Sequence, residues 1–406
     1  MATVRRVLGP LAAAGIGVSA MLGAGVFWVW GPVLERAGSL FVVAIVLAGF
    51  LSLLNALSVA QLALLVPESG GVYAYARRYL SPGAGFFAGW LFLIGKLSSA
   101  AAIALIAATY ALPDHAQWVA PALVAVFALI NITGIRSTAA VALVVTALVV
   151  AVLLAVIFSA ASAPSVLPVT LSTDAYSLWQ AAGLMFFAFA GYARMATLGA
   201  EVKNPATVLP RVIVGTLVAV IALYVAVGVS VVRALGASDV VASAAPLADA
   251  AGDSWRGLVV IAAVLACLGS LGALLAGLSR TAMAMSQSSD LPQGLAVVSV
   301  RTGSPMRAEV AMAALAIVAA AVLDPLWLVG LSSATVLSYY AIGHLSVLRV
   351  PRQDRRLPVV VAWLGLAGCV SLVFALPAIS LVAGAGALTL GAVVWWGLHQ
   401  RRRHAG

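Results

Sequence analysis

The chain has 406 residues, of which 64% are hydrophobic and only 8% are charged, and its formal net charge is +10. Soluble domains carry roughly 25% charged residues, so this composition excludes a soluble globular protein. It predicts an all-α integral membrane protein with many spans.

Apolar runs along the chain predict twelve membrane-spanning helices. The first run is too long for a signal-peptide core and has no suitable cleavage site, so we interpret it as a retained span. The predicted spans are residues 8–30, 40–66, 83–112, 118–132, 139–160, 178–200, 208–232, 258–287, 308–322, 327–348, 358–374 and 377–398.

The basic residues are distributed unequally between the two sides of these spans. With a cytoplasmic N-terminus, the cytoplasmic flanks hold 17 of the 22 lysines and arginines, whereas the outer loops hold Arg36, Arg233 and Arg256. This bias predicts a plasma-membrane protein with both termini in the cytoplasm. It also explains the net charge as a feature of topology and of contact with lipid headgroups, and not as a nucleic-acid-binding surface.

The span lengths indicate an internal repeat. Spans three and eight are about 30 residues long, spans four and nine are about 15, and spans one and six both contain a glycine interruption. A unit of five spans is odd in number, so its second copy is inverted in the membrane. The predicted organisation is a first repeat with the N-terminal tail (1–160), an outer linker (161–175), a second repeat (176–348), and a final unit with a cytoplasmic loop, two spans and a basic tail (349–406).

Two of the spans are predicted to be broken helices. The first span has glycine at positions 15, 17, 23 and 25, and each glycine costs about 1 kcal/mol relative to alanine in a helix. The sixth span is interrupted within Phe187–Tyr192. Because opened backbone in a membrane must be buried in protein or line a wet cavity, we expect the two breaks to face one binding site. The alternative is that the glycines only allow helices to pack closely.

The chemistry of two facing breaks favours a small zwitterion. The half-helix that begins after Gly23 presents unpaired N–H groups and the positive end of its dipole, which suit a carboxylate. Carbonyl groups at Phe187 and Ala190 in the second break suit an ammonium group. A carboxylate site beside an ammonium site is complementary to an α-amino acid.

These segments, in this order, resemble the amino acid–polyamine–organocation superfamily of secondary transporters, which has a leucine-transporter-type fold of five plus five inverted helices. The resemblance covers about residues 8–398. The residues that carry it are Gly23-Ala24-Gly25-Val26-Phe27, Pro67-Glu68-Ser69-Gly70-Gly71-Val72-Tyr73 with Gly89-Trp90, Phe189-Ala190-Gly191-Tyr192 with Glu201-Val202-Lys203-Asn204-Pro205, and Arg280 through Asp290-Leu291-Pro292.

The resemblance implies a substrate site built mainly from backbone. Main-chain groups around Met21, Gly23, Ala24 and Gly25 would bind the substrate carboxylate. Carbonyl groups of Met21, Phe187 and Ala190, the last beside Gly191, would bind its amino group, and Phe187 and Phe189 would wall the site.

The chain also departs from the pattern of this superfamily. Proton-coupled relatives can carry a lysine in the fifth span, whereas residues 139–160 contain no ionisable side chain. Relatives often have an acidic residue just after the glycine of the sixth span, whereas Ala193 and Arg194 follow Tyr192 here.

Lys96 and Arg194 are the only ionisable side chains deep within the predicted spans. A charge near the bilayer centre costs at least about 2.5–3.5 kcal/mol, so each requires an explanation. We expect Lys96 to contact the substrate or to carry a coupled proton, with a structural bond to opened-helix carbonyls as the alternative. Arg194, seven residues before Glu201, is expected to pair with it or to act at an inner gate. His344 is expected to be a packing residue.

The sequence therefore predicts a secondary active amino acid transporter that works by alternating access. Lys96 would repel a cationic side chain, so we favour neutral substrates and a proton as the coupled ion. Amino acid exchange or export, transport of cationic amino acids or polyamines, and a channel stay open as alternatives. Cys267 and Cys369 lie in apolar segments without metal-ligand spacing, and no cofactor, metal site or enzyme activity is predicted.

Overall fold

A computed structural model of the chain describes residues 9–66, 70–134, 139–161, 174–196, 202–299 and 302–404. Within these ranges the regular structure is helical and contains no strand. The helices are α1 (Pro10–Met21), α2 (Gly25–Trp28), α3 (Trp30–Ala37), α4 (Phe41–Leu65), α5 (Val72–Tyr79), α6 (Pro82–Ala111), α7 (Ala116–Ile132), α8 (Ala139–Ala161), α9 (Ala175–Phe189), α10 (Tyr192–Ala196), α11 (Pro205–Leu235), α12 (Ala237–Ala242), α13 (Pro246–Ala250), α14 (Gly252–Gln287), α15 (Met306–Val322), α16 (Pro325–Arg349), α17 (Val359–Ala375) and α18 (Ala378–His404).

Many of these helices suit a membrane. Eight helical segments in the described part of the chain are long and apolar enough to cross a bilayer, and α1, α9 and α17 are shorter apolar helices. The protein is thus an all-α integral membrane protein, as its composition predicts.

Several helices begin at a proline that follows a polar capping residue. In α6 the side chain of Ser81 accepts a hydrogen bond from Ala84 N, and in α16 Asp324 accepts one from Trp327 N at 2.9 Å. Asp174 caps α9 with the same type of hydrogen bond, from Ser177 N, although this helix begins at Ala175 and not at a proline. The hydrogen bond lowers the pKa of the Asp174 carboxyl group. Proline fits the first helical position because it has no N–H to satisfy there.

Helix α6 lies at the centre of the bundle. It packs against α14 and α16, and 83% of its most apolar stretch is buried. By contrast, only 17% of the corresponding stretches of α7 and α18 is buried, so these two helices face outward. The central position of α6 is the reason that a residue in its middle, such as Lys96, lies inside the protein and away from lipid.

The predicted spans coincide with helices, with differences at some ends. Helix α14 begins at Gly252 and not near residue 258, because its first turns are polar and the apolar pattern does not reveal them. The first span is predicted to end at residue 30, whereas the helical structure continues through α3 to Ala37. Helices α12 and α13 follow α11 and were not predicted. Residues 162–173 of the predicted linker lie outside the described residues.

One end of the bundle is fixed through α5. The Asp290 carboxylate, 1% exposed, accepts hydrogen bonds from Tyr73 Oη at 2.9 Å and from Arg77 Nη1 at 2.6 Å. Burial raises the pKa of Tyr73 to about 12, and the Asp290 carboxylate contributes to the increase. These contacts tie α5 to the segment that follows α14.

Candidate functional site

The first predicted break is present between α1 and α2. The helical hydrogen bonds of α1 end with Leu22 N to Val18 O at 2.9 Å, and Gly23 N then bonds to Met21 O at 2.8 Å. Leu22 has φ −78° and ψ 60°, the geometry of an inverse γ-turn. Gly15 and Gly17 lie within α1, which stays helical, so the opening is confined to residues 22–24.

The second break lies between α9 and α10. Helix α9 ends at Phe189, where Ala190 N bonds to Phe187 O at 3.2 Å, and α10 begins at Tyr192. Ala190 and Gly191 therefore separate two helical segments within the same apolar run, as the sequence predicts.

The two breaks are in direct contact, and glycine allows it. A methyl group added at Gly191 would overlap the backbone of Ala20 and approach Met21 N to 2.6 Å. One added at Gly25 would overlap the backbone of Ala188 and approach its Cβ to 2.7 Å. Each break thus presents a glycine to the main chain of the other, so the role of these glycines is close backbone approach.

A tyrosine from α11 joins the two breaks. The Tyr224 hydroxyl lies 2.8 Å from Met21 O and 3.0 Å from Ala188 O and donates to these carbonyls. Tyr224 is fully buried, and its ring packs against Trp30 and Phe189. A phenol has one hydrogen, so the two carbonyls share a single donor, and Tyr224 fixes the distance between the broken helices.

Lys96 reaches the second break from α6. Its Nζ donates to Ala190 O at 3.4 Å, a long hydrogen bond, and the residue is only 6% exposed. Among the residues that the structure describes, no carboxylate forms an ion pair with Lys96. This ammonium is therefore held at the edge of the break by a backbone carbonyl alone.

The carbonyls expected to bind an amino group already have donors in this arrangement. Met21 O accepts from Gly23 N and Tyr224, Phe187 O accepts from Ala190 N, and Ala190 O accepts from Lys96. Met21 O uses both lone pairs, whereas the bond from Lys96 to Ala190 O is the longest of the four. Because its existing hydrogen bond is the longest, the carbonyl of Ala190 is the one from which another cation can most easily displace the present donor, Lys96.

Other residues singled out from the sequence occupy different positions. Phe189 is fully buried and packs against Tyr224 of α11 and Gly49 of α4. Phe187 is also buried but keeps 7% of its surface exposed. Arg194 lies on the exposed side of α10. Its predicted partner Glu201 lies outside the described residues.

Sequence reasoning missed two contacts. Tyr224 is the only aromatic residue of α11, and a lone tyrosine in an apolar span is a signal that could have identified it. Ser270 of α14 lies beside Gly23, where its Oγ would be 2.7 Å from an added Cβ. That hydroxyl faces the place where a carboxylate is expected, but nothing in the local sequence marks it.

We expect Tyr224→Phe to impair transport while the fold is kept, because the ring stays and only the shared donor is lost. A buried carbonyl left unsatisfied costs about 1–3 kcal/mol, which corresponds to roughly five- to a hundred-fold in transport efficiency. Initial uptake rates in proteoliposomes measure this. Tyr176→Phe, at an exposed position, is the matched control. Equal uptake rates for Tyr224→Phe and wild type would show that the hydrogen bonds from Tyr224 to Met21 O and Ala188 O have no role in transport.

The chain is similar to known proteins over nearly its whole length: a family model described as amino acid permease matches residues 8–397. An uncharacterized transporter of Mycobacterium bovis is 41% identical over 400 residues, which cover 97% of this chain and 91% of the relative.

Two more distant relatives come from Bacillus subtilis. The branched-chain amino acid permease BcaP is 26% identical over 335 residues, covering 75% of this chain and 72% of the relative. The serine/threonine exchanger SteT is 24% identical over 307 residues, covering 71% and 70%.

Proposed function

The chain belongs to the amino acid permease family and is an amino acid transporter; on that premise, we propose that it moves neutral amino acids by alternating access, coupled to a proton. The observation that supports the proposal most strongly is the contact between two opened helices, with Gly25 against Ala188 and Gly191 against Ala20. Members of this family are transporters and not enzymes.

The two breaks supply complementary sites for a zwitterion. We assign the substrate carboxylate to main-chain N–H groups around Gly23, Ala24 and Gly25, with the Ser270 hydroxyl beside Gly23 as a further donor. We assign the ammonium group to the carbonyls of Ala190 and Phe187. Recognition through backbone leaves the substrate side chain to be selected by the surrounding helices.

Lys96 is the reason for proposing an uncharged side chain. Two like charges 4 Å apart repel by about 4 kcal/mol at an effective dielectric constant of 20. A cationic side chain near Lys96 would meet this repulsion, and no carboxylate among the described residues is paired with Lys96 to offset it. The names of the two Bacillus relatives refer to branched-chain amino acids and to serine and threonine, whereas a relative from Arabidopsis thaliana is named a cationic amino acid transporter. The proposal therefore rests on Lys96 and not on these names.

Lys96 also gives a physical basis for proton coupling. Its ammonium and the ammonium of the substrate compete for the carbonyl of Ala190. Occupation of this carbonyl by substrate disfavours the charged lysine, so substrate binding and proton binding are linked. Because substrate and proton compete, a proton gradient drives the substrate in the direction opposite to the proton.

We further propose the topology predicted from the sequence. Helices α1 to α8 would form the first repeat, α9 to α16 its inverted copy, and α17 and α18 would lie outside it. Both termini would be cytoplasmic in the plasma membrane, so the α5 end of the bundle would face the cytoplasm. The basic flanks support this orientation.

Uptake by purified protein in proteoliposomes tests the function. We would measure a panel of labelled neutral, acidic and cationic amino acids and a polyamine, with and without a proton gradient and with internal exchange substrate. The proposal expects saturable uptake of neutral amino acids that a proton gradient increases when the acidic side is inside the vesicles, because substrate and proton compete for the carbonyl of Ala190. Uptake that requires internal substrate would indicate an exchanger, preference for arginine or a polyamine would indicate a cationic carrier, and single-channel currents would indicate a channel; each contradicts the proposal.

A further inference from the structure

A second buried polar cluster lies beside the second break, away from Lys96. It consists of Asn55 on α4, Tyr192 on α10, His344 on α16 and Cys369 on α17. Asn55 Nδ2 donates to Tyr192 Oη at 3.0 Å, His344 Nε2 lies 2.7 Å from Asn55 Oδ1, and Cys369 Sγ donates to the same oxygen at 3.3 Å. One amide side chain therefore connects three other helices.

The contact with Asn55 determines which ring nitrogen of the neutral His344 carries the hydrogen. An amide oxygen accepts hydrogen bonds and cannot donate them, so the histidine nitrogen that faces it, Nε2, carries the hydrogen. The other ring nitrogen, Nδ1, is then a bare acceptor when the ring is neutral. His344 is 1% exposed, and its Nδ1 has no hydrogen-bond partner among the residues that the structure describes.

Neighbouring residues pack tightly against the His344 ring, but none in the described part of the chain donates a hydrogen bond to its Nδ1. An added Cβ at Gly365 of α17 would overlap the imidazole, so the edge of the ring formed by Nδ1, Cε1 and Nε2 lies against that glycine. Tyr340, one turn earlier on α16, is also buried, and its ring packs against that of Tyr192. Buried polar groups are normally paired, so the unpaired Nδ1 of His344 requires an explanation.

We propose that His344 is a proton-binding site that couples pH to the conformation of the second break. The inference rests on the proposed transport function. A proton from solution binds to the lone pair of Nδ1 and gives an imidazolium ion; no other bond forms or breaks.

A positively charged imidazolium ring at His344 is energetically unfavourable in the packed arrangement seen here. No carboxylate in the described ranges is paired with His344. The titratable and charged groups on the described helices around α16, and on α16 itself, are Tyr73, Tyr75, Arg77, Arg78 and Tyr79 on α5, Lys96 and Tyr110 on α6, Tyr176 on α9, Tyr192 on α10, Cys369 on α17, and Tyr339, Tyr340 and Arg349 on α16. A buried cation without a counter-ion favours an arrangement in which water reaches it. Protonation therefore shifts the protein toward a state in which the helices around His344 separate.

The effect reaches the substrate site through Tyr192. This residue is hydrogen-bonded to Asn55 and directly follows Ala190 and Gly191. Its ring also lies 5.2 Å from that of Tyr340. A movement of α10 away from α4 and α16 would move the second break with it.

Substrate exchange at equal pH on both sides of the membrane tests the proposal, because no gradient then contributes. We expect the exchange rate of wild-type protein to change by about tenfold between pH 7.5 and pH 5, the range in which histidine charges. His344→Gln keeps an N–H donor for Asn55 and cannot titrate, so its rate should vary less over this range than that of wild type. In the Lys96→Gln background, which removes the other proposed titrating group, the rate of His344→Gln should not vary. His115→Gln, at an exposed position, is the matched control and should follow wild type.

An unchanged pH profile in His344→Gln would overturn the proposal. Should that variant fail to fold, Asn55→Asp gives a second test, since a carboxylate facing the imidazole stabilises the imidazolium and should move the midpoint to higher pH. An Asn55→Asp midpoint equal to that of wild type would also overturn it. A wild-type protein that exchanges no amino acid would contradict the proposed function, whereas exchange with the wrong pH dependence contradicts only the role of His344.

Discussion

Replacing Gly191 with alanine is expected to reduce amino acid uptake by about five- to 150-fold, since overpacking a tight contact costs about 1–3 kcal/mol. The added methyl group would overlap the carbonyl of Ala20, which is backbone and cannot move aside as a flexible side chain can. The two breaks would separate, and the carboxylate and ammonium sites would no longer fit one substrate. Initial uptake rates in proteoliposomes give the measurement.

Gly215 provides the control for this substitution. It lies within α11, and an added Cβ there would meet no atom within 4 Å. Gly215→Ala should therefore transport like wild type, and Gly25→Ala, which would overlap Ala188, should fail like Gly191→Ala. Gel filtration in detergent separates a defect in the site from a loss of folding. Normal uptake by a folded Gly191→Ala protein would show that the contact between the breaks is unnecessary.

The second large effect is expected at Lys96. Glutamine at this position can still donate a hydrogen bond to Ala190 O, but it cannot bind or release a proton. We expect Lys96→Gln to lose accumulation driven by a proton gradient, so that internal and external substrate become equal. Exchange of internal for external substrate should continue, because the breaks remain intact.

The measurement compares steady-state accumulation with and without an imposed gradient. Lys203→Gln makes the same chemical change at an exposed residue and should accumulate substrate as wild type does. Full gradient-driven accumulation by Lys96→Gln would exclude this lysine as the coupling group. The pH profile of His344→Gln at equal pH is an independent readout, so the two residues can be distinguished.

The sequence predicts the fold closely because long apolar runs leave few alternatives. Residues 83–112 become α6, Pro82–Ala111, and the interrupted runs become α1 with α2 and α9 with α10. Helix α14 begins earlier than predicted because a polar first turn, such as that after Gly252, has no apolar periodicity to detect. Twelve spans and the inverted repeat remain predictions.

The candidate site was less accessible to sequence reasoning. The break residues could be found because glycine is costly in a helix, but the direction in which each peptide group points depends on contacts between distant segments. Tyr224 and Ala188 are 36 positions apart, and Asn55 and His344 are 289 apart. A single sequence contains no signal that pairs such residues. For the same reason, His344 was expected only to fill space.

Competition by substrate analogues most directly tests the claim that backbone groups of both breaks hold the charged ends of an amino acid. Uptake of the best labelled substrate would be measured against its amide, which lacks the carboxylate, and against the matching 2-hydroxy acid, which lacks the ammonium group. The account predicts that each analogue inhibits at least about tenfold more weakly than the unlabelled amino acid, because each leaves buried donors or acceptors unpaired. Inhibition by either analogue as strong as that by the amino acid itself would contradict it.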